Sequence, residues 1–373
     1  MTASSVFNAY IDTNIMLMLA AFLWLSTRTL LKRSYLRSAF STHLQVLYGL
    51  LLAVAIAPVI ICLHNWLTQI GLVNSGYVPS ISDYALSQYL NGKFQMAPST
   101  FETLWMSRTL FIQNVVSLGS SAGIAIAATL GLGILVYSIR LLGNALSIRK
   151  TIQRSYLWRR SGRLEIRLTD RSDIPFSTRG LRRRYIVLPS TLLLEADDLK
   201  IAITHEIQHM RQGDLDWELA LELARPLFFW NPGFAFFKRE VEALRELACD
   251  QQVLMRKQIG IREYCDCLLR VCRNAIKPNG ARKILVPSVP LVSSPKDKHA
   301  AKFLRFRVMS MLSRGRVLPG RWVSCILVLP LLAFISIGSI ATQSNGDWSQ
   351  DRLMLSTIVN LERLDQRTLA TQY

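Results

Sequence analysis

His205, Glu206, Ile207, Gln208 and His209 form an H-E-x-x-H motif, and Glu246 and Asp250 follow as a second pair, four residues apart. Residues four apart share one face of an α-helix, so His205 and His209 can each aim a ring nitrogen at a single metal ion. Glu206 lies about 100° round the helix, close to that ion without having to bind it. Catalytic zinc takes three protein ligands and keeps a fourth position for water, so a third donor must come from elsewhere in the chain. Glu246 is the best placed, on a helical stretch over residues 238–257, and Glu240 and Glu242 on the same stretch are the alternatives. Asp250, one turn further along that face, suits a carboxylate that accepts the second N–H of a ligand histidine and fixes its tautomer. Such a set supports peptide hydrolysis. Zn2+ lowers the pKa of its bound water to about 7, Glu206 takes the proton as general base, and the hydroxide attacks a carbonyl polarised by the metal. The competing reading is a solvated helix that carries these residues without a metal; the joint presence of H-E-x-x-H and E-x-x-x-D argues against it.

The chain that must hold this motif is unlike a water-soluble enzyme: over 373 residues it is 50% hydrophobic and carries a net charge of +19. Membrane insertion explains both. Four segments are apolar enough to span, residues 15–31, 44–63, 115–142 and 322–341. The first has basic residues after its apolar run rather than before it, so it reads as a retained anchor rather than a cleaved signal. Basic residues cluster at Lys32, Arg33 and Arg37, at Arg149, Lys150, Arg154, Arg159, Arg160 and Arg163, and at Arg314, Arg316 and Arg321. By the positive-inside rule these sides are cytoplasmic. Residues 1–14 have no Lys or Arg, and the loop 66–114 has only Lys93 and Arg108. The expected organisation is therefore a multi-pass protein of the cell membrane, N-out and C-out. A membrane domain over residues 1–148 carries three spans and the external loop 66–114. A cytoplasmic zinc protease domain follows over 149–276, then a basic flexible linker over 277–321, the fourth span, and a short external tail over 342–373.

The positive charge tracks the cytoplasmic face, where anionic lipid headgroups lie, and no DNA-reading motif accompanies it, so direct contact with nucleic acid is not expected. Cys62 and Cys325 fall in spans, while Cys249, Cys265, Cys267 and Cys272 face the reducing side, which argues against disulfides. The group Cys265, Cys267 and Cys272 lacks paired C-x-x-C spacing and reads as helix core rather than a second metal site. Residues 164–168 and 185–188 alternate like strands, and Ser190 or Asp197 can cap the helix that carries the motif to Gly213. The strand through Val187, read as an exposed edge, would suit an extended peptide held by β-augmentation. Asp214 and Asn231 are candidates for structural support, the latter in an Asn231-Pro232-Gly233 break. Phe228, Phe229, Trp230 and Phe234 pack in the core or rest on the membrane interface; Trp66 and Trp105 suit interface anchors.

His205-Glu206-x-x-His209 followed by Asp214, Asn231-Pro232 and Glu246-x-x-x-Asp250 after Cys249, with three spans before and one after, resembles the membrane zinc metallopeptidases of the β-lactam-sensing antirepressor receptors, the BlaR/MecR type. The similarity covers about residues 10–342. It implies a fold class: an α-helical integral membrane protein of four spans with an inserted cytoplasmic α+β gluzincin-type domain. It also implies His205, His209 and Glu246 as ligands of one catalytic Zn2+, Glu206 as base and Asp250 behind the ligands. The output it implies is limited proteolysis of a winged-helix transcriptional repressor, with self-cleavage in the linker. Those receptors carry a penicillin-binding sensor after the last span, and only a short tail stands there in this sequence, so an antibiotic ligand is not expected. The expected partners are a protein substrate, membrane lipid and a second copy of the chain in a homodimer. Two other functions fit the same residues: a constitutive quality-control or processing protease, and a non-catalytic receptor that sequesters a DNA-binding partner.

Overall fold

The apolar runs fold as α1 (Ala3–Arg33), α2 (Phe40–Gln69), α5 (Ser121–Gln153) and α11 (Arg321–Ala341). All four are long and apolar enough to cross a membrane, whose hydrocarbon core of about 30 Å needs roughly 20 helical residues. The computed structural model describes residues 3–72, 81–180, 182–256, 259–276, 289–290, 298–312, 321–342 and 350–370. The third long helix starts at Ser121, so Val115 and Val116 belong to α4 (Pro98–Val116) instead of the span expected from residue 115. The apolar run hides the break. Leu118 takes a left-handed φ of 53°, and the Ser120 hydroxyl accepts the Gly123 N–H at 3.0 Å, capping a new helix.

The chain divides into two compact units. One comprises Met1–Leu23, Gly49–Gly131 and Leu327–Tyr373. In it Gly49 of α2 faces Val328 of α11 so closely that a Cβ would sit 2.7 Å from a valine methyl, the small-residue contact expected between membrane helices. Helices α3 (Ile81–Leu90), α4 and α12 (Gln350–Ala370) pack around Leu86, Phe101, Leu355 and Val359. The Tyr89 and Phe101 rings stack at 4.0 Å, and Trp105, expected as an interface anchor, packs against this cluster. Glu362 of α12 accepts the Ser99 N–H at 2.8 Å in the first turn of α4. Trp66 is exposed.

The second unit, Trp24–Tyr48 and Leu132–Ile326, holds the motif. Its sheet contains β1 (Tyr156–Ser161), β2 (Leu164–Thr169), β3 (Phe176–Arg179), β4 (Arg184–Pro189) and β5 (Val289–Pro290), in the order β1-β2-β4-β3-β5. β2 and β4 run parallel, and the other pairs are antiparallel. Ile186, Val187 and Leu188 of β4 are fully buried because that strand is central. Val187 is thus not on an edge, and the edge nearest the motif helix belongs to β3 and β5. Against the sheet pack α6 (Ala196–Gln212) and α7 (Asp214–Ala224), and α8 (Pro232–Met255) and α9 (Ile261–Ile276) pack on α6. Ile201, Ala202, Cys249, Val253, Cys265, Cys267 and Leu268 share one core, so the cysteine group packs as apolar side chains. Phe234 is buried, Phe229 stacks on Tyr137 of α5 at 5.4 Å, and Trp230 is half exposed.

Within the expected linker 277–321, residues 298–312 form α10 (Lys298–Leu312) and residues 289–290 form β5. Residue 321 of that linker begins α11, and its remaining residues, with Lys257 at the end of the expected second helix, lie outside the described residues. α10 docks because Leu304, Val308 and Met311 recur at helical spacing, and Met311 joins the core.

The start of α8 is set by Asn231, whose side chain accepts the Phe234 N–H at 3.2 Å, with Pro232 in the first turn. Asn231→Ala removes that cap at a cost of about 1 kcal/mol. Its thermal midpoint should fall by roughly 2–4 °C, with metal content unchanged; an unaltered melt would show the cap to be redundant.

Candidate metal centre

Helix α6 has Glu195 at its N-cap and no side-chain cap; the Ser190 hydroxyl goes to Asp170 instead, and Asp197 lies in the first turn. Asp198 beside it is gripped by Arg270 of α9, whose Nε donates at 2.7 Å. The helix ends at Gly213, φ 78°, a left-handed position that suits glycine. α7 begins at the next residue, and the sharp turn brings Asp214 back beneath the motif. Its Oδ2 lies 2.7 Å from His209 Nδ1. Asp214 Oδ1 accepts the Tyr48 hydroxyl at 3.3 Å, and Tyr48 stacks on Trp217 at 4.2 Å.

Both motif imidazoles are wholly buried, with their Nε2 atoms 3.0 Å apart. Glu246 of α8 faces both: Oε1 is 3.6 Å from His209 Nε2 and Oε2 is 3.7 Å from His205 Nε2. Donors sharing one tetrahedral ion at zinc–ligand lengths lie about 3.3–3.4 Å from each other, so the triangle is of the right size. Behind His205, Tyr264 of α9 brings its hydroxyl to 2.6 Å from Nδ1 and donates to Asp250 Oδ1 at 2.7 Å. Asp250 itself is 3.7 Å from that ring nitrogen. The carboxylate that takes a motif imidazole N–H directly is therefore Asp214, and Asp250 acts on His205 through Tyr264.

The proton positions follow. Burial holds His209 well below its ordinary pKa, so its ring is neutral, and with Nδ1–H donated to Asp214 its Nε2 is a bare lone pair. His205, with its Nδ1 2.6 Å from the Tyr264 oxygen, turns its Nε2 to the same point. Two imidazole nitrogens converging to 3.0 Å are placed to share one cation. Glu206 adds to this: both its carboxylate oxygens are buried with no hydrogen-bond donor, and burial pushes the carboxyl up to about 8 against the pull of the nearby Ser177 hydroxyl on β3. Burial also raises Asp214 to about 7. Burial would raise Glu246 too, but the Arg307 guanidinium holds it below the usual carboxylate range. The residues fit a divalent metal ion.

Cys249 is the other candidate third donor, since its Sγ shares the neighbourhood of His205 and His209. It lies 3.5 Å from His205 Nδ1, on the side of the ring turned away from His209. Burial, Asp250 and Glu246 also drive its thiol far above the ordinary range. Glu246, by contrast, faces both Nε2 atoms. Of the alternatives, Glu240 accepts from Trp24 Nε1 at 3.2 Å and from Arg28 at 2.7 Å, and Glu242 lies 3.6 Å from Lys238. Neither is paired with an imidazole. Sequence reasoning missed Tyr264 and Arg307, which reach the site from residues far along the chain, and Arg245, which is fully buried and donates to Glu218 at 2.7 Å. The one local signal was a hydroxyl on an apolar stripe, Tyr264, Leu268 and Val271.

Residues 8–287 match the model of a peptidase family described as BlaR1 peptidase M56. A curated relative, the regulatory protein BlaR1 of Bacillus licheniformis, is 31% identical over 78 residues, 21% of this chain and 13% of that protein.

In a titration with Zn2+ against a chromophoric chelator, Asp214→Ala should weaken binding by about 10- to 100-fold, and Glu240→Gln should leave it unchanged. Equal losses in both would mean that the carboxylates act only through overall charge.

Proposed function

The chain belongs to the BlaR1 peptidase M56 family, a family of metallopeptidases, and we propose that it is an integral-membrane zinc endopeptidase of gluzincin type that signals by limited proteolysis. The observation that carries this reading is the pair of imidazole Nε2 atoms converging to 3.0 Å, faced by Glu246 and flanked by the unpartnered carboxylate of Glu206. His205, His209 and Glu246 hold the ion. When bound there, zinc makes water a nucleophile near neutral pH, polarises the scissile carbonyl, and adds a positive charge that draws the Glu206 carboxyl back into its ionised form. Glu206 accepts the proton of the attacking water and passes it to the leaving amine. Asp214 and Tyr264 keep both imidazoles in the tautomer that leaves Nε2 free.

An extended peptide is held along the outer edge of β3. This is supported by β5 of the same chain, which pairs antiparallel there, Ser177 opposite Val289 and Phe176 opposite Pro290. The edge lies beside the catalytic carboxylate, since the Ser177 hydroxyl of β3 acts on the Glu206 carboxyl. Because β5 belongs to the segment 277–321, that segment is proposed as a site of self-cleavage, with a winged-helix repressor as the substrate in trans. The Lys and Arg distribution supports an N-out, C-out orientation with the site in the cytoplasm. It leaves α3, α4 and α12 as the outer surfaces available to a signal.

Mass spectrometry of the full chain and of a co-expressed repressor, wild type against Glu206→Gln, tests this. Wild type should yield fragments ending within residues 277–321 and a cut repressor. Glu206→Gln should bind Zn2+ normally and yield neither. Identical fragments from both proteins would sink the protease reading.

A further inference from the structure

Arg307 is the one charged side chain of α10 that is buried among the described residues, with 2% of its surface exposed, and it lies beyond the residues matched by the family model, 8–287. Its Nε and Nη2 donate to Asp250 Oδ2 and Oδ1 at 2.8 and 2.7 Å, and its Nη1 is 3.0 Å from Glu246 Oε2. We propose that Arg307 and Tyr264 are positioning residues that set the tautomer of His205, along the path Arg307, Asp250, Tyr264, His205, and so leave its Nε2 free for the metal.

The direction of each hydrogen bond follows from donor and acceptor capacity. A guanidinium has five N–H donors and no acceptor, so Asp250 must accept at both oxygens. Asp250 Oδ1, already accepting from Arg307, accepts again from the Tyr264 hydroxyl at 2.7 Å. The tyrosine has one proton, and with it spent on Asp250 the phenolic oxygen is left only to accept. The group it faces is His205 Nδ1, at 2.6 Å, which must therefore carry its hydrogen. Reversing one link reverses the chain. Were Asp250 free of Arg307 and turned away, the Tyr264 proton would point at His205 Nδ1, the ring hydrogen would move to Nε2, and the metal would lose that donor. His209 needs no such relay, because Asp214 contacts it directly at 2.7 Å. The two imidazoles are thus fixed by different parts of the chain, one from the turn after the motif and the other from α10.

The inference rests on the zinc reading above, and its test separates the two. Zn2+ affinity is measured by chelator competition on the full chain in nanodiscs for wild type, Arg307→Met, Arg307→Lys, Tyr264→Phe and the double variant Arg307→Met/Tyr264→Phe. Amide exchange over residues 298–312 reports whether α10 stays docked. The relay requires each of Arg307→Met and Tyr264→Phe to weaken Zn2+ by about 10- to 100-fold, and the double variant to lose no more than about 3-fold beyond the larger single loss, since both break one path. Tyr264→Phe should leave exchange in α10 unchanged, and Arg307→Lys, a point charge still facing Asp250, should recover part of the affinity. Multiplying losses would overturn the relay in favour of the direct Arg307 contact with Glu246, as would a normal Tyr264→Phe. Wild type that binds no Zn2+ would overturn the relay together with the zinc reading; wild type that binds, with multiplying losses, would overturn the relay alone.

Discussion

Buried negative charge is the constraint around which the second unit is organised. Glu206, Asp214, Glu246 and Asp250 are all at most 5% exposed, and Glu218 and Glu222 are buried beside them. Removing an ion from water costs several kcal/mol even after relaxation, so each needs a partner. Arg245 answers Glu218, Lys238 contacts Glu222, and Arg307 answers Asp250 and Glu246. These cations are too few. Burial accordingly pushes the Glu206 and Asp214 carboxyls up, to about 8 and about 7. A divalent ion between the imidazoles would supply the missing positive charge, and its binding would release protons.

The motif was legible because its geometry is local. Four-residue spacing on one helix places His205 with His209 and Glu246 with Asp250, and a glycine at a helix end announces the turn that delivers Asp214. What escaped was set by distance along the chain or by short elements. Arg307 sits in a stretch whose Lys and Arg content resembles a solvated linker, and only its burial against Asp250 distinguishes it. β3 is four residues long, between Pro175 and Gly180, and β1 carries Arg159 and Arg160 and is exposed throughout, so neither alternates clearly enough to be read. Missing β3 is what made β4 look like an edge. Hydropathy likewise ran through residues 115–142 without registering the turn at Leu118, because Ser117, Gly119 and Ser120 are small and too few to offset the apolar residues on either side.

The other unit shows how a short tail becomes part of a fold. α12 buries Leu355 and Val359 against Leu86 and Phe101, and Glu362 gives the first turn of α4 an acceptor that its own N-cap, Ala97, lacks. Packed against α3 and α4, it shares their core. α12 follows α11 directly in the chain and α10 precedes it, so the segment bearing Arg307 and the segment completing the other unit are the two arms of one apolar helix.

Asp250 and Arg307 are separated by 57 residues, and the order in which a ribosome makes them has a consequence. At 5–20 residues per second, roughly 3 to 11 s pass between the two. Throughout that interval the motif helix and its carboxylates exist without the guanidinium that completes them. Glu246 and Asp250 thus gain the cation that pairs them only as α11 is about to follow, so the charge around the two imidazoles is balanced late in synthesis.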